Sequence, residues 1–177
     1  MKWFFKCFKQ YFDFNGRARR KEYWFFALFN CIISIVLMCL WMVPMIAMAI
    51  SAAHNGIKID EWDLVQNILS NPALYIWILY YLAALIPSIA VTVRRLHDIG
   101  RSGFWAFLIC GVPILSSITN YLNLPAIVEL IFFPIMLGVC ILSLVWMCTD
   151  SQWGENQWGP NPKGYPTLDG MPRNDLI

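Results

Sequence analysis

The stretch YWFFALFNCIISIVLMCLWMVPMIAMAI, Tyr23 to Ile50, carries no charged side chain over 28 residues. A helix needs about 20 apolar residues to cross a hydrocarbon core ~30 Å thick, so this run predicts a membrane span. It is also too long, and starts too far from the N-terminus, for a cleaved leader, whose apolar region is ~7–15 residues. Working outward, Pro72–Val93 and Phe104–Leu124 are equally free of charge, and Pro125–Cys148 carries only Glu129. A backbone in lipid must satisfy its own hydrogen bonds, and no alternating pattern suggests a barrel, so the runs read as helices. The expectation is an all-α integral membrane protein with four transmembrane helices, at about 23–50, 72–93, 104–121 and 125–148.

Composition agrees. Hydrophobic residues make up 59% of the 177-residue chain and charged ones 14%, against roughly 45–50% and 25% in soluble domains. That leaves too little polar surface for a soluble enzyme and excludes a disordered chain. A net charge of +2 gives no reason to expect a nucleic-acid partner. Residues 1–164 read as a single membrane domain, followed by a flexible C-terminal tail at 165–177.

Orientation follows from the basic residues. Seven of 13 Lys and Arg lie in Met1–Glu22 and three in Arg94–Arg101, whereas the loop after the first span has only Lys58. Lys/Arg-rich segments stay cytoplasmic, which predicts both termini and the Arg94–Gly103 loop inside. The six cysteines avoid the external loop, so they form no disulfide framework.

Two short helices flank the spans. In Lys2–Phe14, Lys2, Lys6, Lys9 and Asp13 recur every three or four residues opposite Phe4, Phe5, Phe8, Tyr11 and Phe12. This is an amphipathic N-terminal helix, lying either in the membrane interface or on the bundle's cytoplasmic face. Behind Asp60, a plausible N-cap, Trp62, Val65, Ile68 and Leu69 repeat at helical spacing and read as a short interfacial helix.

Three polar stretches remain. In the first, Asn15-Gly16 signals a turn after which Arg17 opens a helix, with Arg19 and Glu22 paired at i,i+3. In the second, Arg94 and Arg95 close the second span, Gly100 and Gly103 permit a reversal, and Ser102 caps the third. The third, Gln152–Pro162, holds Gly159-Pro160-Asn161-Pro162, an ordered turn that cannot continue a helix.

These stretches resemble one known family. Asn15-Gly16-Arg17-Ala18-x-Arg20-x-Glu22-Tyr23-Trp24, Arg94-Arg95-Leu96-His97-Asp98-x-Gly100-Arg101-Ser102-Gly103-x-Trp105 and Gly154-x-Asn156-x-x-Gly159-Pro160-Asn161-Pro162 are similar to the signatures of domain-of-unknown-function family 805. The resemblance covers roughly residues 11–164. It implies a small bacterial inner-membrane protein and no established reaction.

The candidate binding residues are Arg17, Arg20, Arg94, Arg95, His97, Asp98 and Arg101. Guanidinium groups chelate phosphate oxygens, and membrane-proximal basic clusters attract anionic lipid. The sequence therefore points to a cytoplasmic Arg-rich patch that recognises anionic phospholipid headgroups or a membrane-protein partner. Positive-inside anchoring is the plainer reading of most of these arginines. Two rivals come from other classes. Glu129, the one charge inside an apolar span, suits a transport or channel component. His97 beside Asp98 suits a membrane enzyme acting on a phosphorylated lipid. No nucleophile motif accompanies that pair, so no residue is assigned as catalytic, and neither a metal nor a cofactor is expected. Pro44, Pro87, Pro113 and Pro134, one in each span, read as packing geometry.

Overall fold

The computed structural model describes residues 2–56, 58–122 and 125–164; within the helices, the side chains of 113, 116, 117, 119–121, 126 and 129 lie outside that description. The described residues form six helices: α1 (Lys2–Lys9), α2 (Arg20–Asn55), α3 (Glu61–Ser70), α4 (Pro72–Asp98), α5 (Trp105–Tyr121) and α6 (Ala126–Cys148). The expected tail at 165–177 falls outside the described residues. Three helices, Arg20–Asn55, Pro72–Asp98 and Leu130–Cys148, are long and apolar enough to cross a membrane. The 17 residues of α5 sit at the lower limit for a span, ~17 residues.

Helix α2 runs for 36 residues with Pro44 inside it. At 1.5 Å per residue that is about 54 Å, well beyond a ~30 Å hydrocarbon core, so its ends project past the apolar segment. It starts at Arg20, not at Arg17 as the turn signal suggested. Ala18 N–H donates to the Arg94 carbonyl at 3.0 Å, and Arg17 is drawn away by Asp98. The expected Arg19–Glu22 pair gives way as well: Arg19 donates to the Pro162 carbonyl and Glu22 turns to Lys6 and Arg94.

The chain divides into two compact units, one from Met1–Phe26 with Pro87–Ile177 and the other Ala27–Ile86. In the first, the apolar face of α1 packs inward. Buried Cys7 joins Ala18, Phe26 and Val91, with Phe4, Phe8 and Tyr23 against them. Phe4 stacks on Phe26 at 5.6 Å between ring centroids. Of the two placements open to α1, packing on neighbouring helical segments is therefore the one adopted. A second cluster, Leu96, Ala106, Trp146 and Met147, joins the end of α4 to α5 and α6, where Trp105 meets Trp146 edge-on at 5.2 Å.

The second unit holds the α3 corner. Asp60 caps α3, accepting from Glu61 N–H at 2.8 Å. Asn71 separates α3 from α4; its Nδ2 donates to the Trp41 carbonyl at 3.0 Å, and its Oδ1 accepts from Ala73 N–H. Trp41 and Trp77 stack at 6.2 Å, and the Tyr75 hydroxyl donates to the Leu69 carbonyl at 2.7 Å. These contacts fix the turn between α3, which buries no residue, and the first half of α4. Most apolar side chains of α2 face outward, and none of its most hydrophobic 18-residue window is buried by protein. That is the pattern of a helix whose solvent is lipid.

Candidate functional site

All three polar motifs meet in the first unit, around Asp98. The C-terminal turn of α4 delivers Arg94, Arg95, His97 and Asp98 together. Gly100, at φ +76°, then reverses the chain. A side chain there is strained in the left-handed region and would also strike Gln152 Oε1 at 2.6 Å. Gly103 fits for a different reason: a Cβ would sit 2.7 Å from Val93 Cγ1 and 3.0 Å from His97 Nε2. The Ser102 hydroxyl accepts from Phe104 N–H at 3.3 Å, just before α5.

Asp98 is fully buried. Its Oδ1 accepts from Arg17 Nε at 3.0 Å, and its Oδ2 from Arg95 Nη1 and the Ser151 hydroxyl, both at 2.6 Å. One carboxylate thus pairs with two guanidinium groups, brought from 81 residues apart and from the preceding turn. The guanidiniums spread their remaining donors over backbone carbonyls. Arg17 Nη1 donates to Gly154 at 2.7 Å, and Nη2 to Gln152 at 2.5 Å. Arg95 donates to the carbonyls of Trp146, Met147 and Thr149, the unsatisfied acceptors at the end of α6. A cation there also complements the negative end of the helix.

The tail is held as firmly by side-chain amides. Asn156 Nδ2 donates to the His97 carbonyl and Asn161 Nδ2 to the Gln152 carbonyl, both at 2.9 Å. Gln152 N–H donates to the Asp98 carbonyl at 2.8 Å. Asn156 and Gly159 close a tight turn between them. His97 stacks flat on Trp158, 4.5 Å between ring centres and 8° apart, with Nδ1 3.3 Å from the Gly16 carbonyl.

Beside this lies a second charged group. Glu22 accepts from Lys6 Nζ at 2.5 Å and lies 3.7 Å from Arg94 Nη2, both Glu22 and Arg94 being buried. Arg94 Nε and Nη2 make no hydrogen bond among the described residues. Cys7 Sγ lies 4.0 Å from Glu22 Oε1; burial pushes its thiol up to about 11, with Glu22 adding to the shift. It therefore stays a neutral donor toward the carboxylate at ordinary pH.

The seven candidate residues thus separate by role. Arg17, Arg95 and Asp98 form one buried network, and Arg94 belongs to Glu22. Arg20 reaches outward to Asp150 Oδ2 at 3.0 Å and to the Cys148 carbonyl at 3.1 Å. Hydrogen bonding from Lys163 holds the Asp150 carboxyl below its usual range. Arg101 is exposed and lies over the Trp146 ring at 5.3 Å. His97 does not pair with Asp98, whose oxygens are taken by Arg17, Arg95 and Ser151, so the acid–base pair weighed from the sequence is not formed. Glu129 lies in α6, and its side chain is outside the described residues. Among the described residues no three His, Cys, Asp or Glu side chains gather as metal ligands. Outside the seven candidates the site also takes in Glu22, Ser151, Asn156, Trp158 and Asn161, of which only Ser151 lies outside the polar stretches singled out from the sequence. The polar pattern of the tail was the one available signal for the last three.

Helices of membrane-crossing length, joined at one end by a buried cap of arginines, carboxylates and tail carbonyls, define a multi-pass helical membrane protein. The chain belongs to the family described as "Protein of unknown function (DUF805)", whose model matches residues 11–160. It is 32% identical to Inner membrane protein YhaI of Escherichia coli K12 over 163 residues, 92% of this chain and 97% of that protein. It is also 32% identical to Inner membrane protein YhaH of the same strain, across 94% of this chain and 100% of that protein. Uncharacterized protein YiiR of that strain is 29% identical over 151 residues, 84% of each chain. No solved structure matches.

Proposed function

We propose that this is a four-span inner-membrane protein with both termini cytoplasmic, which binds anionic phospholipid headgroups on the cytoplasmic leaflet. The observation that carries the reading is the division of labour among its basic residues. Arg17, Arg94 and Arg95 are buried with internal partners. The outward basic surface is instead α1, where Lys2 and Lys9, exposed and flanking the Glu22-paired Lys6, line with Phe5 a shallow pocket of about 460 Å³. Phe5 is 58% exposed. Cations around one exposed aromatic suit a phosphate headgroup with an acyl chain beneath it. Exposed Arg101 adds a guanidinium in the loop before α5. The fourth span is α5, whose apolar residues number just enough to cross.

Topology is tested with single-cysteine substitutions in an otherwise cysteine-free chain. A membrane-impermeant maleimide on intact cells should label Lys58→Cys and spare Lys9→Cys, and labelling of both or only the latter refutes the arrangement. Binding is tested by native mass spectrometry of the full chain titrated with phosphatidylglycerol. Each basic residue near an anionic surface contributes about 1 kcal/mol, so Lys2→Gln with Lys9→Gln should weaken retention ~30-fold. Unchanged retention in that double variant would refute the site.

A further inference from the structure

At the C-terminal end of α2 a cavity of about 780 Å³ opens against α3, lined by Met48, Ser51, Lys58, Trp62, Asp63 and Asn67 among others. Its volume lies within the ~300–1,000 Å³ of small-molecule sites. The lining has a pattern. Asp63, Gln66, Asn67 and Ser70 recur at i, i+3, i+4 and i+7, so the polar wall is one face of α3. Trp62, Val65 and Leu69 line the cavity beside it. They are 64%, 41% and 55% exposed, and α3 has no buried residue at all. An amphipathic helix with nothing buried, carrying a Trp, is one whose apolar side chains rest in the membrane interface.

The polar groups are complementary in sign. Lys58 offers an ammonium and Asp63 a carboxylate to the same space. Asn67 Oδ1 is shielded from solvent and has no hydrogen-bond donor among the described residues. A buried acceptor without a donor is unfavourable, and the broad amide torsion of Asn lets it turn toward an incoming one.

We propose that this cavity binds the phosphoethanolamine headgroup of a bilayer phospholipid. Lys58 holds the phosphodiester, Asp63 and Asn67 Oδ1 accept from the primary ammonium, and Trp62, Val65 and Leu69 cover the first methylenes of the acyl chains. The ammonium has three N–H donors to give; a choline headgroup carries the same charge and has none, so the two acceptors discriminate between them. The site is independent of the lysine face of α1 and stands whether or not that face binds lipid.

Native mass spectrometry of the detergent-solubilised full chain tests it, with phosphatidylethanolamine and phosphatidylcholine of identical acyl chains and with soluble glycerophosphoethanolamine. The wild type should retain the ethanolamine lipid at least tenfold over the choline lipid. Asp63→Asn and Asn67→Leu should each erode that preference, and Lys58→Gln should weaken both lipids alike. Each variant is compared only after it elutes as a single species on gel filtration, and the wild-type ratio decides the matter if one fails to fold. Equal retention of the two lipids by the wild type overturns the proposal, as does a preference that survives both α3 substitutions. Glycerophosphoethanolamine binding as tightly as the lipid would overturn the bilayer source.

Discussion

Asp98→Asn should be the most damaging conservative change in the polar cap. The asparagine keeps the shape of the side chain and loses its charge. It would leave Arg17 and Arg95, whose side chains are 1% and 0% exposed, as two like charges side by side without a counter-ion. Its amide group would also present donors where Arg17, Arg95 and the Ser151 hydroxyl already donate. Removing one partner from a buried ion pair typically costs 3–5 kcal/mol, because the remaining charge stays desolvated. Here two charges are stranded, so a loss of at least ~3 kcal/mol is expected. For a chain of this size that lowers the melting temperature in detergent by roughly 6–12 °C. Asp150→Asn is the matched control. Asp150 also pairs with basic residues, Arg20 and Lys163, but its side chain is 57% exposed, and such pairs contribute at most about 1 kcal/mol. Equal melting shifts in the two variants would show that the network around Asp98 does not hold the cap.

The contrast between those aspartates marks where the sequence stops being readable. Membrane-length helices are legible because charge-free runs have one physical explanation. The Asp60 cap of α3 and the Gly159–Pro162 turn are legible because each depends on neighbours in the chain. The buried pairings are not local. Nothing in Asn15–Trp24 says that Arg17 will reach Asp98, 81 positions on, and that pairing moves the start of α2 to Arg20. The sequence makes a polar patch of the arginines, and charge on a patch is usually exposed. Arg17, Arg94 and Arg95 are buried instead because carbonyls at the end of α6 and in the tail, and two carboxylates, surround them. Likewise α1 has the periodicity of an interfacial helix, and only the fit of Phe4, Cys7 and Phe8 against Phe26, Ala18 and Val91 decides which way it faces.

Arg17→Lys should release the tail while leaving the rest of the cap in place. Lysine keeps the positive charge and can reach Asp98, so the counter-ion is not stranded. It cannot reproduce a planar fork whose Nε, Nη1 and Nη2 serve three directions at once. The contacts that disappear are those to the Gly154, Gly159 and Gln152 carbonyls in the tail and a longer one, 3.3 Å, to the Asp98 carbonyl. Hydrogen bonds from charged donors contribute ~1.5–3 kcal/mol each, and losing the two short ones, to Gly154 and Gln152, puts the cost at about 3 kcal/mol. Cleavage of a segment that opens and recloses quickly follows the population of its open form, so ~3 kcal/mol corresponds to roughly 100-fold faster proteolysis. Cuts should fall within residues 150–163, with the helices before them intact. Asn156→Ala removes one amide donor to the His97 carbonyl at 2.9 Å, worth about 1 kcal/mol, and should accelerate cleavage by only ~5-fold. If Arg17→Lys is cleaved no faster than wild type, the guanidinium is a bystander and Asn156, Asn161 and the His97–Trp158 stack hold the tail without it. If the cut moves into the 10–19 segment as well, Arg17 secures its own stretch of chain as much as the tail, and the expectation of a release confined to the tail fails.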